Sequence, residues 1–536
     1  MATIQLNAMP GAHRDDVQAG PVLSKTVSMR LATAVALALG TMCSGELLAQ
    51  EASGSAGQLD ELRRQVQELQ RQLDRLKAQQ DANDRRSAAA PAAVDKPERA
   101  SSSGPGIQAG PLTLTFGGFA ELAGIYRNRN ETADVSSNFN TAIPFRNQPQ
   151  FHMSEFRGSA RQSRISLLTQ GPNDGRSHAE AYLEMDFQSS APTANSIESN
   201  SYNPRLRHFY ATYYNTVSDF YLLAGQTYSL VTLEKKGMMP RQEQIPLVID
   251  GQYVPGFNWT RNPQLRFVKN FGAKLALGLS LESPQAIIFK GPNNTLVPSV
   301  SSEPGGALFA PTVNYSTDIY PDVIAKVAWD PGYGHYEFYG LGRAFRARAG
   351  TDNRTTYGGG LGLGMILPLG SQVDFQLSGL AGRGIGRYGS AQLPDVTVRP
   401  DGKLARVSAY QALAGLIYRP SSDWTLYGYA GIEHANSEHF TAVVNGQTLG
   451  FGYGSPLYDN SGCQIEGSTV CAANTSRIEQ GALGVWWKYY EGALGNMQFG
   501  LQGSYTRRNI FRGIGGDPDT NITMGMLSFR YYPYQK

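Results

Sequence analysis

No stretch of this chain carries the roughly 20 consecutive apolar residues that a membrane-crossing helix needs. The longest candidate, Leu31–Leu39 (LATAVALAL), is less than half that length. A helical membrane protein is therefore excluded. Charge of one sign is scarce as well: 47 Lys+Arg stand against 44 Asp+Glu, a formal +3 over 536 residues. So small an excess gives a nucleic-acid-binding surface no electrostatic footprint. Cysteine is nearly missing. Of the three, Cys463 and Cys471 bracket QIEGSTV with no His between or beside them, which argues against a metal site. Abundant instead are Gly (60), Tyr (28) and Phe (22), the composition of extended, aromatic-rich strands.

The apolar run follows Arg30 and precedes small residues, which reads as a secretory signal over 1–49, cleaved after Gly45 or Ala49. The 28 residues ahead of Met29 are long for such a signal, so Met29 is a candidate start. An exported chain meets an oxidising compartment, and Cys463 with Cys471 then most simply forms one disulfide. Next, Leu59, Leu62, Val66, Leu69, Leu73 and Leu76 alternate at spacings of three and four. That is the seam of a short coiled-coil helix over 58–81, and leucine at both seam positions leaves two strands or three open. An Ala/Ser/Pro-rich linker fills 82–110.

From 111 to 536 the pattern changes to period 2. In SHAEAYLEMDF (177–187) His178, Glu180, Tyr182, Glu184 and Asp186 share one face; in AKLALGLSLE (273–282) four leucines share one face, with Lys274, Ser280 and Glu282 opposite. About sixteen such segments recur. Between them short turns (171–176, 215–218, 270–272, 330–334, 368–371, 419–423, 491–495) alternate with long segments (128–160, 188–204, 230–263, 283–322, 346–358, 383–406, 434–477, 507–520). A soluble sandwich has no reason to put every long connection at one end. An all-β transmembrane antiparallel barrel of about sixteen strands does, with its short turns and both chain ends in the periplasm. Tyr213 and Tyr214, Trp486 and Trp487, Tyr489 and Tyr490, and Tyr531, Tyr532 and Tyr534 lie beside the short-turn ends, where an aromatic girdle belongs.

SRISLLTQ, YLEMDF, LRHFYATY followed by LLAGQTYS, and above all DGQYVPGFNWTRNPQLRFVKNFG (250–272), together with the heptad segment, resemble the DcaP-like family of trimeric outer-membrane porins. The resemblance spans 58–536. It implies a sixteen-stranded barrel in the bacterial outer membrane, a homotrimer tied by the periplasmic coiled coil, and passive uptake of small anions such as dicarboxylates. One departure is the C-terminus, which ends YYPYQK instead of on an aromatic residue.

Bulk charge selects nothing: from Gly106 onward there are 35 Lys+Arg and 32 Asp+Glu. Selectivity must come from placement. With Ile165 and Leu167 facing lipid, Arg164 faces the lumen. Leu206, His208 and Tyr210 outward turn Arg205 and Arg207 inward; Leu265 and Phe267 outward do the same for Arg266, and Tyr336 and Phe338 for Arg343. Guanidinium groups on one wall attract carboxylates and bind them bidentately. The same rule sends Glu180, Glu184 and Asp186 inward, either as an opposing acidic wall or as ion-pair partners of Arg164, Arg205 and Arg207. In porins of the resembled kind a loop at the position of 230–262 folds inward. Here it carries Lys235, Lys236, Arg241 and Arg261.

The expected function is a porin for small, preferentially anionic, dicarboxylate-like solutes. A non-selective or differently selective porin, or a surface adhesin acting through its loops, are the alternatives. None of the seven His pairs at metal spacing, and no G-x-S-x-G accompanies them, so the chain is not expected to be an enzyme, nor to hold a cofactor or metal. Expected partners are small anionic solutes, membrane lipids, lipopolysaccharide and further copies of the chain, and no nucleic acid.

Overall fold

The computed structural model describes Arg71 and residues 106–189, 203–297, 300–301 and 315–534. The signal segment, all of the heptad segment but Arg71, and most of the linker lie outside the described residues. The linker's last residues, Ile107–Ala109, already pair antiparallel with Leu112–Leu114.

Sixteen wall strands follow in order: β1 (Leu112–Arg127), β2 (Glu155–Ser159 with Arg164–Gln170), β3 (Ser177–Ser189), β4 (Asn203–Asn215), β5 (Phe220–Tyr228), β6 (Arg261–Phe271), β7 (Leu275–Glu282) and β8 (Asp322–Trp329). They continue as β9 (His335–Ala349), β10 (Asp352–Pro368), β11 (Val373–Arg383), β12 (Ser408–Tyr418), β13 (Trp424–Ala435), β14 (Thr475–Gly492), β15 (Gly495–Ile510) and β16 (Asp519–Tyr532). β2 is one wall strand broken at 160–163, both halves pairing with β1. Every neighbour is antiparallel, and β16 pairs back onto β1, from Ala120↔Tyr531 to Arg127↔Met524. The sheet is closed. A closed ladder leaves no unpaired edge, which is what lets strands stand in hydrocarbon.

Alternation sets the two faces. On β7, Leu277, Leu279 and Leu281 stay 40–47% exposed, while Ser280 and Glu282 on the other face are 0% exposed. Leu122, Phe156, Phe209, Leu265, Phe338, Leu361, Leu416, Leu483 and Leu527 repeat the outward pattern around the wall. Burying each such side chain is worth about 1.5–3 kcal/mol. A belt of them left bare has no aqueous explanation and fits acyl chains.

The short turns fall where the sequence places them, but one long connection does not. Pairing between β9 and β10 runs to Ala349↔Asp352, so the supposed loop 346–358 is a continued hairpin with a two-residue tip. Its RARA run alternates like any strand, Arg346 and Arg348 outward and Ala347 buried. The girdle also needs correcting. Adjacent residues point to opposite faces, so Tyr213 and Trp487 face out while Tyr214 and Trp486 are buried inside. Trp424, stacked on Trp487 at 5.5 Å, joins the outer ring instead. At the long-loop end of the barrel the disulfide Cys463–Cys471 closes a loop whose Cys463 carbonyl accepts from the Asn147 N–H (3.1 Å), tying it to the loop after β1.

Replacing Leu279, mid-strand on the lipid face, by arginine should cost about 2–4 kcal/mol in a guanidinium unfolding titration of the barrel in liposomes. Ser280→Ala, one residue away on the inner face, should change the midpoint far less.

Candidate functional site: the arginine-lined lumen

β3 sends Glu180, Glu184 and Asp186 inward, all buried or half-buried. Opposite them, β4 carries an irregularity: Glu184 pairs with His208 and Met185 with Leu206, leaving Arg207 as an extra residue. This is a β-bulge. It resets the alternation, so Arg207 and His208 are both buried, Phe209 points out at 58% exposure, and Tyr210 returns inward. Strict period 2 had placed His208 and Tyr210 against lipid; the bulge overturns that.

The inward arginines and acids interleave. Arg205 holds Asp186 bidentately, Nη2 to Oδ2 at 2.6 Å and Nε to Oδ1 at 2.9 Å. Arg207 bridges, Nη1 to Asp186 at 2.9 Å and Nε to Glu184 at 2.5 Å. Arg164 lies 3.8 Å from Glu184. Of the two arrangements open in the sequence, these acids are in the ion-paired one. Three guanidiniums share two carboxylates. Arg261 comes up beside them over the rings of Trp259 (5.1 Å) and Tyr228 (5.5 Å), with no carboxylate partner among the described residues. The local balance is therefore positive.

Other candidates are consumed as anchors. Arg266 is fully buried, donating to Gln264 (3.0 Å) and to the Tyr228 carbonyl (2.5 Å). Arg343 is buried between Asp322 (3.1 Å) and Asp395 (2.6 Å). Arg241 reaches from the loop to Glu180 at 2.8 Å. Lys235 and Lys236 are exposed near the loop's tip, where Glu234 and Glu243 face each other.

The segment Leu230–Thr260 crosses the barrel interior. Wall side chains from β8 to β15 hold it: Lys326 donates to the Thr232 carbonyl (2.8 Å), Asp330 accepts from the Gly237 N–H (3.0 Å), Trp486 donates to the Leu247 carbonyl (2.7 Å) and Gln502 accepts from the Ile249 N–H (2.5 Å). Beneath it the inner wall is apolar, with Leu223, Val268, Ile324 and Leu413 all buried. A wet inner face was expected throughout; these positions are dry because the loop covers them.

A second inward loop, 384–407, was not foreseen. Trp259 donates its N–H to the Tyr388 carbonyl (2.8 Å) and its ring N–H to Ser390 (3.0 Å). The Glu433 carboxylate accepts the N–H of Gly256 and of Ala391, each at 2.8 Å, and so clamps both loops to β13. Gly256, at φ +90°, passes so close to the β12 backbone that a Cβ would collide with the Ala412 carbonyl. This second loop brings in Arg387, bonded to Asn262 at 2.6 Å.

Among the described residues two cavities are lined by arginines. The first, about 310 Å³, is lined by Arg205, Arg261 and Arg387 with Asn262, Gln226 and Gln285, and no carboxylate lines it. The second, about 270 Å³, has Arg164, Arg207 and Arg530 on one side, Ile245–Val248 on the other, and Asp250. Arg530 and Arg387 were both missed. Arg530 was legible, since Phe529 beside it faces out; Arg387 sits in a loop, where alternation is silent. Tyr253, at φ +68°, directs its hydroxyl to that of Tyr228 at 2.5 Å. Burial pushes the Tyr253 phenol up, but the guanidiniums of Arg207, Arg261 and Arg164 outweigh it and hold the phenol lowered, to about 8.

No family model and no curated protein matches the chain. Among solved structures it is similar to the outer membrane channel DcaP of Acinetobacter baumannii, at 16% identity and a TM-score of 0.55, over 80% of this chain and 100% of that one. More remote are the anion-selective porin from Comamonas acidovorans (10%, TM-score 0.44, 78% of this chain and 99% of that one) and OmpF of Salmonella typhi (9%, TM-score 0.42, 80% and 100%). The first likeness carries the fold alone, a closed antiparallel β-barrel.

Glu433→Ala would leave two buried N–H groups without an acceptor, at about 1–3 kcal/mol each. Amide hydrogen exchange at Gly256 and Ala391 should accelerate together, while β13 amides stay protected; unchanged exchange would rule out the shared clamp.

Proposed function

We propose that this chain is an outer-membrane porin through which small anions, dicarboxylates among them, diffuse passively, and that it works as a homotrimer tied by the heptad segment 58–81. The observation that carries the anion preference is the cavity lined by Arg205, Arg261 and Arg387 without a carboxylate. Two of these guanidiniums are spoken for, Arg205 by Asp186 and Arg387 by Asn262, and Arg261 stands over aromatic rings. A passing carboxylate completes their hydrogen bonding and need not break a tight pair, which suits weak, multi-site binding in a conducting pore. A cation in the same cavity meets three guanidiniums and no carboxylate in the lining. Carboxylates that touch its lining are already engaged: Asp186 by Arg205 and Arg207, Glu282 by the Leu230 N–H and Asn262, and Asp322 by Arg343.

Reversal potentials across planar bilayers under a salt gradient test the reading: anion preference is expected, and cation preference would remove it while leaving the barrel intact. Arg261→Ala with Arg387→Ala should weaken block by a dicarboxylate at least about tenfold, since each lost charged hydrogen bond is worth about 1.5–3 kcal/mol. The trimer is tested by sedimentation in detergent with and without 58–81.

The phenol of Tyr253 adds a pH dependence. As pH rises through about 8 it becomes a phenolate among the arginines and cancels one positive charge. Anion preference should therefore fall between pH 7 and pH 9, and Tyr253→Phe should flatten that profile.

A further inference from the structure

The outer wall carries a basic patch that the lumen does not use. Above the apolar belt, β9 turns Arg346 and Arg348 outward, β11 ends on outward Arg383, and Arg406, just ahead of β12, is exposed and donates to the Tyr357 carbonyl at 2.9 Å. Cross-strand bonds extend two of these side chains along the wall: Arg346 Nε to Thr355 Oγ1 at 3.1 Å, and Arg348 Nη1 to Asn353 Oδ1 at 3.0 Å. On the same face of these three strands the neighbouring outward positions are Gly342, Ala344, Asn353, Thr355, Tyr357, Gly359, Gly379 and Ala381. None is acidic. Asp352 at the hairpin tip is paired with Arg354 (2.6 Å), and the Asp318 carboxylate accepts from the Ser316 hydroxyl (2.7 Å).

Height makes the patch specific. Tyr336, at the short-turn end of β9, and Arg346 both face out and are ten residues apart. At about 3.3 Å per residue and a tilt near 40°, that is about 25 Å along the membrane normal, the height of the apolar band of such a barrel. The guanidiniums therefore stand at the external rim, level with the headgroups of the outer leaflet. On the same face Tyr357, Leu361 and Tyr410 are 44–62% exposed and face the acyl region, with Phe338 lower on β9. All four cations are arginine, which meets phosphate with a planar, two-pronged donor set.

We propose that the outer wall of β9–β12 is a binding site for the phosphorylated glucosamine headgroup of a glycolipid, the lipid A end of lipopolysaccharide, with Arg346, Arg348, Arg383 and Arg406 on its phosphates and its acyl chains along Tyr357, Leu361 and Tyr410. This rests on the outer-membrane placement above and not on the pore's selectivity.

Native mass spectrometry of the full chain in detergent, titrated with diphosphoryl lipid A, tests it. Retained lipid is expected for the unmodified chain, with apparent affinity at least about tenfold lower for Arg346→Ser/Arg348→Ser/Arg383→Ser/Arg406→Ser and for dephosphorylated lipid A. The double variant Arg383→Ser/Arg406→Ser keeps the hairpin's cross-strand bonds and should lose about threefold, which preserves the test if the quadruple variant does not fold. Equal retention by the variants, equal binding of the dephosphorylated lipid, or equally strong binding of phosphatidylglycerol would each overturn the proposal. Conductance and ion preference of the folded variants should stay unchanged, so a failed pore reading and a failed lipid site register in different measurements.

Discussion

Closure of the ladder between β1 and β16 is the constraint from which the rest follows. In hydrocarbon an unpaired amide costs several kcal/mol, so a sheet can stand there only if its last strand finds its first. Once closed, period 2 does two jobs at once. Each strand offers lipid its apolar residues and delivers the intervening ones to an enclosed space, where polar side chains are shielded from the membrane and face one another across a short distance.

That enclosed space is too wide to be filled by wall side chains alone, and the chain fills it with its own connections. The segment Leu230–Thr260 is held by donors and acceptors from β8 to β15, and the loop 384–407 is laid against it through Trp259 and the shared carboxylate of Glu433. Apolar patches such as Leu223, Val268 and Leu413 lie under these loops instead of in water. What stays polar is what the loops leave uncovered, and there the arginines gather.

The arginine arrangement depends on sharing. Three guanidiniums, those of Arg164, Arg205 and Arg207, satisfy the hydrogen bonding of the Glu184 and Asp186 carboxylates and leave positive charge over. Strict one-to-one pairing would have cancelled the field; unpaired arginines at this burial would have been costly to hold charged. The bulge at Arg207 adds His208 to the inner side, where strict alternation already places Arg205 and Arg207.

Much of this was legible in the chain alone. The sixteen antiparallel strands and most of the alternation of short and long connections, the 346–358 hairpin excepted, are local properties, written into period 2 and into where the polar turn residues fall. So were the inward directions of Arg164, Arg266 and Arg343, because a strand's alternation needs only its neighbours. Three things were not legible. A bulge is a disagreement between two strands in register, so neither β3 nor β4 announces it. The RARA run was charged enough to look like a loop, and only its pairing with β10 made it wall. Finally, which arginine anchors and which faces open space depends on what a loop distant in sequence lays over it. Alternation tells a side chain which way to point, and only the folded chain supplies what it meets there.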